Sequence, residues 1–390
     1  MSRKRSGEIY SAKLIDWHAQ HISNPLDRLR YLRTATVQVP ASDFTRRWRV
    51  VWPLLLAALA VSSVASLRAW RGSTPDPEAS RPKPARATAP AKPAVAAPLA
   101  DVWLVDHNGD DEEYSNGLRI DNHWTVPNRP RSYPVFDPKH LDRGPAAWMS
   151  EPAGIVFHTT ESDQIPFEPA QNGALKSIAE NLLGYVQQKR AYNFVVDRFG
   201  RVHRIVKETD AANHSGYSVW ADDRWLYLNL NDSFFGVSFE AQTRRGGEPA
   251  SITPAQIRAG ALLIEMLRSR YKLAVANCVT HAQVSVNPSN MQIGYHTDWA
   301  ANFPFTEVGL PDNYGSPLPG LFLCGFDYDR DYLTSTGGRV EAAVALSESK
   351  LADAAVARRM PVAAYRDFLK RQYRKNLLAL RKGAPEGDAS

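Results

Sequence analysis

The side chains best suited to chemistry stand at the ends of apolar runs. Gly154-Ile-Val-Phe-His158-Thr-Thr160 places three large apolar residues, two of them β-branched, directly before a histidine. Such a run reads as a short buried strand that delivers an imidazole to the rim of a sheet, where it either ligates a metal or makes a structural hydrogen bond. Phe234-Phe-Gly-Val-Ser-Phe-Glu240 alternates as a second strand and ends in a carboxylate, which is either an exposed strand end or an acid–base group. His203 falls in mid-strand and reads as structural. The two cysteines, Cys278 and Cys324, form no Cys-x-x-Cys pair, so neither a disulfide scaffold nor a thiolate zinc cluster is available, though one bridge is.

The elements that must position these groups can be read from the pattern around them. Leu175, Ile178, Ala179, Leu182 and Val186 recur on one helical face, predicting an amphipathic helix from about Pro169 to Lys189. Asn193–Arg198 and Arg201–Val206 are β-rich runs joined at Phe199-Gly200, a hairpin signal. Thr253-Pro-Ala-Gln256 supplies an N-cap, a proline at the first helical position and a capping-box Gln, opening a helix through Ile257, Leu263, Leu267 and Tyr271. The expected class is α/β, a central mixed sheet flanked by helices. Asp101 to Ser150 reads as loop-rich, its Asp-Asp-Glu-Glu run as solvated surface.

The first hundred residues are of another kind. Met1 to Arg49 carries ten Lys/Arg against four Asp/Glu, equal to the whole chain's excess of +6. Val50 to Leu67 follows with eighteen uncharged residues, the length of one transmembrane helix, with Trp48, Trp52 and Trp70 at or near its ends. The basic side predicts a cytoplasmic tail at 1–49, a span at 50–67 and an extracytoplasmic remainder. Residues 72–100 hold seven prolines among many alanines, a composition suited to an extended linker at about 3.1 Å per residue.

Taken in order, His158-Thr-Thr160, Tyr192-Asn-Phe-Val-Val-Asp-Arg-Phe-Gly200, Ala212-Asn-His214-Ser-Gly216, Gly236-Val-Ser-Phe-Glu240, Thr280-His281 and Thr297-Asp298 resemble the zinc-dependent N-acetylmuramoyl-L-alanine amidases of the amidase-2 and peptidoglycan recognition class. The resemblance covers roughly Pro152 to Phe305 and implies a hydrolase domain over 101–305. It implies cleavage of the amide between muramic acid and L-alanine in peptidoglycan or muropeptides, with Zn2+ held by His158, His281 and Asp298. Two imidazoles and a carboxylate with an open fourth position suit that metal. Glu240 matches the family's general base. Tyr192 matches a tyrosine near the metal in some members, and is either a hydrogen-bond donor or a core aromatic. His214, Thr159 and Asn213 fall where the substrate groove would be.

The pattern departs from the family before the last ligand. Where many amidases have Lys-x-Asp, this chain has His296-Thr-Asp298, and Asp298 follows His281 by seventeen positions, implying an insertion around Val286 to Gly294. His296 is either an oxyanion stabiliser in place of the lysine or itself a ligand with Asp298 behind it. Some members of the class have lost the metal and only bind muropeptide, which is the alternative function here.

Residues 306–390 fall outside the resemblance. Val362, Tyr365, Leu369, Tyr373, Leu377 and Leu380 make a helical stripe opposite Arg366, Lys370, Arg371, Arg374, Lys375 and Arg381. That helix either docks on the domain with a solvated basic face or meets anionic wall polymer or lipid headgroups. The expected location is the bacterial inner membrane, single-pass, with the catalytic domain in the periplasm, and no nucleic-acid partner.

Overall fold

Runs of β-branched and aromatic residues can be buried on both faces only inside a sheet covered from both sides, and two such runs form the centre of this molecule. In the computed structural model, which describes residues 99–383 apart from 245–247 and 249–251, the strands are β1 (Leu104–Asn108), β2 (Asp111–Tyr114), β3 (Arg119–Asp121), β4 (Tyr133–Phe136), β5 (Ala147–Met149), β6 (Gly154–Thr159), β7 (Phe194–Val196), β8 (Val202–Arg204), β9 (Val219–Ala221), β10 (Leu226–Leu228), β11 (Phe234–Phe239), β12 (Cys278–Thr280), β13 (Val286–Asn287) and β14 (Gln292–Ile293). The main sheet runs β1-β2-β3-β8-β7-β11-β6-β12. β6 is parallel to β11 and β12, β7 is parallel to β11, and β8 turns back antiparallel on β7, so the sheet is mixed. All six residues of β6 and all six of β11 are buried.

Helices cover the two faces. The first, α1 (Asn172–Lys189), buries Leu175, Ala179, Leu183 and Val186, the last two against Val195, Ile205 and Val206. It is followed by the short α2 (Leu230–Ser233) and by α3 (Pro254–Tyr271). α3 opens on the expected capping box, Thr253 Oγ1 accepting from Gln256 N at 3.1 Å and Gln256 Oε1 from Thr253 N at 3.0 Å. Its Leu263, Ile264 and Leu267 pack under Ile155, Phe157, Val237 and Phe239; each such burial stabilises by about 1.5–3 kcal/mol. On the opposite face a small sheet, β5-β4-β10-β9, closes over Val156, Val279 and Phe234. That second face carries the histidines.

Four more helices follow: α4 (His281–Val284), α5 (Pro319–Phe322), α6 (Arg330–Ser335) and α7 (Glu341–Ala357); a fifth, α8 (Val362–Gly383), ends the described chain. Tyr314, Leu321, Phe326, Tyr332, Leu369 and Tyr373 join the same core as the sheet. On α8 the basic residues are partly neutralised inside the molecule: Arg366 pairs with Glu348 and Lys370 with Asp327, both at 2.6 Å.

The segment read as loop-rich, 101–150, contains five strands, β1 to β5. The Asp-Asp-Glu-Glu run opens into β2, and Glu112 is drawn inward by Arg204 of β8 at 2.9 Å, so part of that acidic run is not solvated surface. The tail at 1–49, the span at 50–67 and nearly all of the 72–100 linker lie outside the described residues. Among the described residues no helix is long and apolar enough to cross a membrane.

Candidate metal centre

Three strand ends converge. In the parallel register Ser238 stands opposite His158, and Glu240, two residues on and just past the end of β11, keeps its backbone N–H on the Val196 carbonyl at 2.9 Å and so continues the face of the sheet that carries that imidazole. Thr280 at the end of β12 caps α4 through a reciprocal bond with Gln283 and starts that helix at His281, whose ring centroid lies 4.5 Å from that of His158. Asp298 arrives on a loop. Its carbonyl accepts from Ala282 N at 3.2 Å, and the Tyr314 hydroxyl donates to the carbonyl of Trp299 at 2.7 Å. Trp299 sits at φ +56, a left-handed conformation held by a buried ring.

The Asp298 carboxylate reaches both imidazoles, Oδ1 at 2.8 Å from His281 Nδ1 and Oδ2 at 3.1 Å from His158 Nδ1. The ligand-type atoms of His158, His281 and Asp298 all lie within 4.8 Å of one another. On the far side of His281, Nε2 is 3.3 Å from the Ser215 carbonyl. On the far side of His158, Nε2 is 3.0 Å from His214 Nδ1, and His214 Nε2 is 3.3 Å from the Phe234 carbonyl.

Charge states follow from burial. Burial first, and neighbouring His281 second, push His158 down to about 4 against the pull of Asp298. Burial, with His158 and Arg131 beside it, pushes His214 well below its usual value. Both rings are therefore neutral near pH 7. Burial alone would raise Asp298, but the imidazoles against it hold it well below the carboxylate range, so it stays ionised.

Counting protons through these contacts exposes a shortfall. Carbonyl and carboxylate oxygens only accept, and a neutral imidazole has one N–H. His281 meets an acceptor at each nitrogen, the Asp298 carboxylate at Nδ1 and the Ser215 carbonyl at Nε2. The His158–His214 pair has two protons for three contacts, ending on Asp298 at one side and Phe234 at the other. Filling the backbone ends leaves the Nδ1 lone pair of His158 facing a carboxylate that His281 Nδ1 also meets. A divalent cation there would supply the positive charge that this carboxylate and the imidazole lone pair lack, and two imidazoles plus one carboxylate are a donor set zinc accepts.

Glu240 is buried, accepts from Arg198 N through Oε2 at 3.1 Å, and has no hydrogen-bond partner at Oε1 among the described residues. Burial raises its carboxyl, the Arg198 backbone bond opposing. A carboxylate in that state is a competent proton acceptor. Tyr192, at φ +63, places its ring centroid 5.2 Å from His158, and burial raises its phenol. His296 stacks on His281 at 4.6 Å with 19° between the rings and donates its backbone N–H to Ser285 Oγ at 3.0 Å. The buried Thr159 hydroxyl is engaged with Glu161 and Thr243, and the exposed Asn213 side chain with Arg129 and the Lys189 carbonyl. The structure thus gathers His158, His281, Asp298, His214, His296 and Tyr192, while the side chains of Thr159 and Asn213 are spent on local bonds.

Two contributors escape sequence reading. Ser215 acts through its backbone carbonyl, which has no residue-type signature. Asn231 of α2 accepts from the backbone N–H groups of His214 (2.9 Å), Ser215 (2.7 Å) and Gly216 (3.3 Å), clasping the turn that backs both histidines. Only the folded chain brings it there.

Residues 148–298 match the family model described as N-acetylmuramoyl-L-alanine amidase. No curated protein matches the chain. Among solved structures, AmpDh3 of Pseudomonas aeruginosa in complex with an anhydromuramic pentapeptide is 20% identical, with a TM-score of 0.30, over 40% of this chain and 58% of that one. AmiD from E. coli, in complex with the substrate anhydro-N-acetylmuramic acid-L-Ala-D-gamma-Glu-L-Lys, is 18% identical, with a TM-score of 0.35, over 53% of this chain and 95% of that one. Peptidoglycan recognition protein SD of drosophila is 14% identical, with a TM-score of 0.25, over 41% of this chain and 84% of that one. The chain thus spans little more than half the length of the first of these, and TM-scores of this size decide nothing about activity.

Proposed function

We propose, on the premise that this is an amidase-2 class protein through residues 148–298, that it is a zinc-dependent hydrolase of the amide between N-acetylmuramic acid and L-alanine in peptidoglycan or muropeptides, serving wall remodelling or recycling. The observation that carries the reading is the convergence of ligand-type atoms of His158, His281 and Asp298 within 4.8 Å of one another, on the sheet face that Glu240 continues. Zinc held by those three residues would supply a Lewis acid and a water whose pKa is lowered to about 7. Glu240 takes a proton from the attacking water as its oxygen bonds to the amide carbon. It returns that proton to the amide nitrogen as the C–N bond breaks, leaving a carboxylic acid and a free alanine amine. Oε1 is the atom for this, since Oε2 is held by Arg198 N.

His296 stabilises the negative charge on the carbonyl oxygen in the place of the lysine of many amidases. Its near-parallel stack on His281 favours this over ligation, because stacked rings do not point their nitrogens at one shared ion. Tyr192 donates a further hydrogen bond to the substrate.

The domain works outside the cytoplasm of a bacterium, tethered to the inner membrane by the 50–67 span and lifted from it by the Pro/Ala-rich linker. The support is the uncharged run and the basic tail before it. Incubating the full-length chain with muropeptides, with and without chelator, tests the activity. Release of free stem peptide that chelator stops and zinc restores is expected. Binding without release in the zinc-loaded protein would instead identify a recognition module.

A further inference from the structure

We infer that His214 is a positioning residue for the metal, one that fixes the tautomer of His158, and not a residue that contacts substrate. The inference rests on the metal reading above. The Phe234 carbonyl, 3.3 Å away, can only accept, so His214 Nε2 carries its proton and its Nδ1 is left as an acceptor. That acceptor, 3.0 Å from His158 Nε2, draws the single proton of His158 to Nε2. The lone pair of His158 is then at Nδ1, on the side of Asp298 and His281. A backbone carbonyl thus sets, through one intervening ring, which nitrogen of the first histidine is free to bind an ion.

The fold makes room for this ring. A Cβ on Gly236 would lie 2.5 Å from His214 Cγ and 2.8 Å from its Cβ, closer than side-chain atoms pack, so the missing side chain of β11 is the space the imidazole occupies. Asn231 fixes the other end of the residue by accepting from its backbone N–H at 2.9 Å. His281 reaches the same state more directly, through the carbonyl of the adjacent Ser215 at 3.3 Å. One turn, His214-Ser215, therefore orders both imidazoles, His158 through a side chain and His281 through a backbone carbonyl. Partners behind a metal-bound histidine carry about 10–100-fold in metal affinity.

The test is zinc affinity of the full-length chain by chelator competition, with the thermal midpoint of each metal-free protein measured alongside. His214→Leu, which fills the space but accepts no hydrogen bond, should bind zinc about 10–100-fold more weakly than wild type. His214→Asn, whose amide oxygen falls near the place of Nδ1, should recover most of that loss at an unchanged metal-free midpoint. Gly236→Ala, which keeps the histidine and pushes its ring away, should weaken zinc as His214→Leu does, and supplies the comparison if His214→Leu fails to fold. Equal zinc affinity in wild type, His214→Leu and Gly236→Ala would overturn the inference while leaving the metal reading intact. Equal losses in His214→Leu and His214→Asn would overturn it too, by showing that shape and not the acceptor matters. A wild type that binds no zinc would overturn both.

Discussion

Glu240 is the residue on which the proposed chemistry turns, and its environment sets a measurable pH signature. Burial raises its carboxyl above the ordinary value of 4.5. A general base must be ionised, so activity is full above its pKa and falls as the pH drops through it. The acid limb of kcat/KM is therefore expected above pH 4.5 and should vanish from the pH profile's determinants in Glu240→Gln, which keeps zinc but loses about 10²–10⁴ in rate. An acid limb at or below the ordinary glutamate value, or substantial activity in Glu240→Gln, contradicts the assignment. At His296 two chemistries part company. His296→Ala should keep zinc and lose about 10²–10³ in turnover, with His296→Lys recovering part of it. Loss of zinc from both variants would make His296 a ligand, and wild-type cleavage by His296→Ala would remove it from catalysis.

At the scale of elements, the turn at His214–Gly216 depends on one side chain from α2. Removing the Asn231 carbonyl leaves up to three backbone N–H groups seeking a partner. Asn231→Ala should lower stability by about 1–3 kcal/mol in denaturant titration, and should weaken zinc binding as well because the turn orders both imidazoles. A variant as stable as wild type would show that water serves the turn equally well. Elements like these were unevenly legible in the sequence. β6, β11, α1 and the capped start of α3 announce themselves through local periodicity and capping residues, which depend on near neighbours alone. The strands β1 to β3 did not, because Glu112 is made a half-buried strand residue by Arg204, a partner far along the chain. The same limit hid Asn231 and the Ser215 carbonyl: their roles are contacts between segments, with no spacing to betray them. His158, His281 and Asp298 stood out by residue type and order, and the fold supplies what order cannot, a common point within 4.8 Å.

For the whole molecule, the part beyond residue 305 is built into the core that supports the site. Tyr314 holds the Trp299 carbonyl beside Asp298, and the Tyr332 hydroxyl donates to the Ala282 carbonyl at 3.2 Å. The basic face of α8 is reduced by its pairs with Glu348 and Asp327, which weakens the reading of that helix as a site for anionic polymer. The N-terminal segments carry a separate expectation: protease added outside the cytoplasmic membrane should digest the folded domain and spare residues 1–49, and protection of the domain would reverse the proposed topology. The central claim is that His158, His281 and Asp298 hold a catalytic zinc. Its most direct test is the metal content of the purified full-length chain, wild type beside His281→Ala, with muropeptide cleavage measured on the same samples. One zinc per wild-type chain with cleavage, and neither zinc nor cleavage in His281→Ala, is the predicted result. Full zinc occupancy in His281→Ala, or cleavage by a wild type that holds no metal, would contradict it.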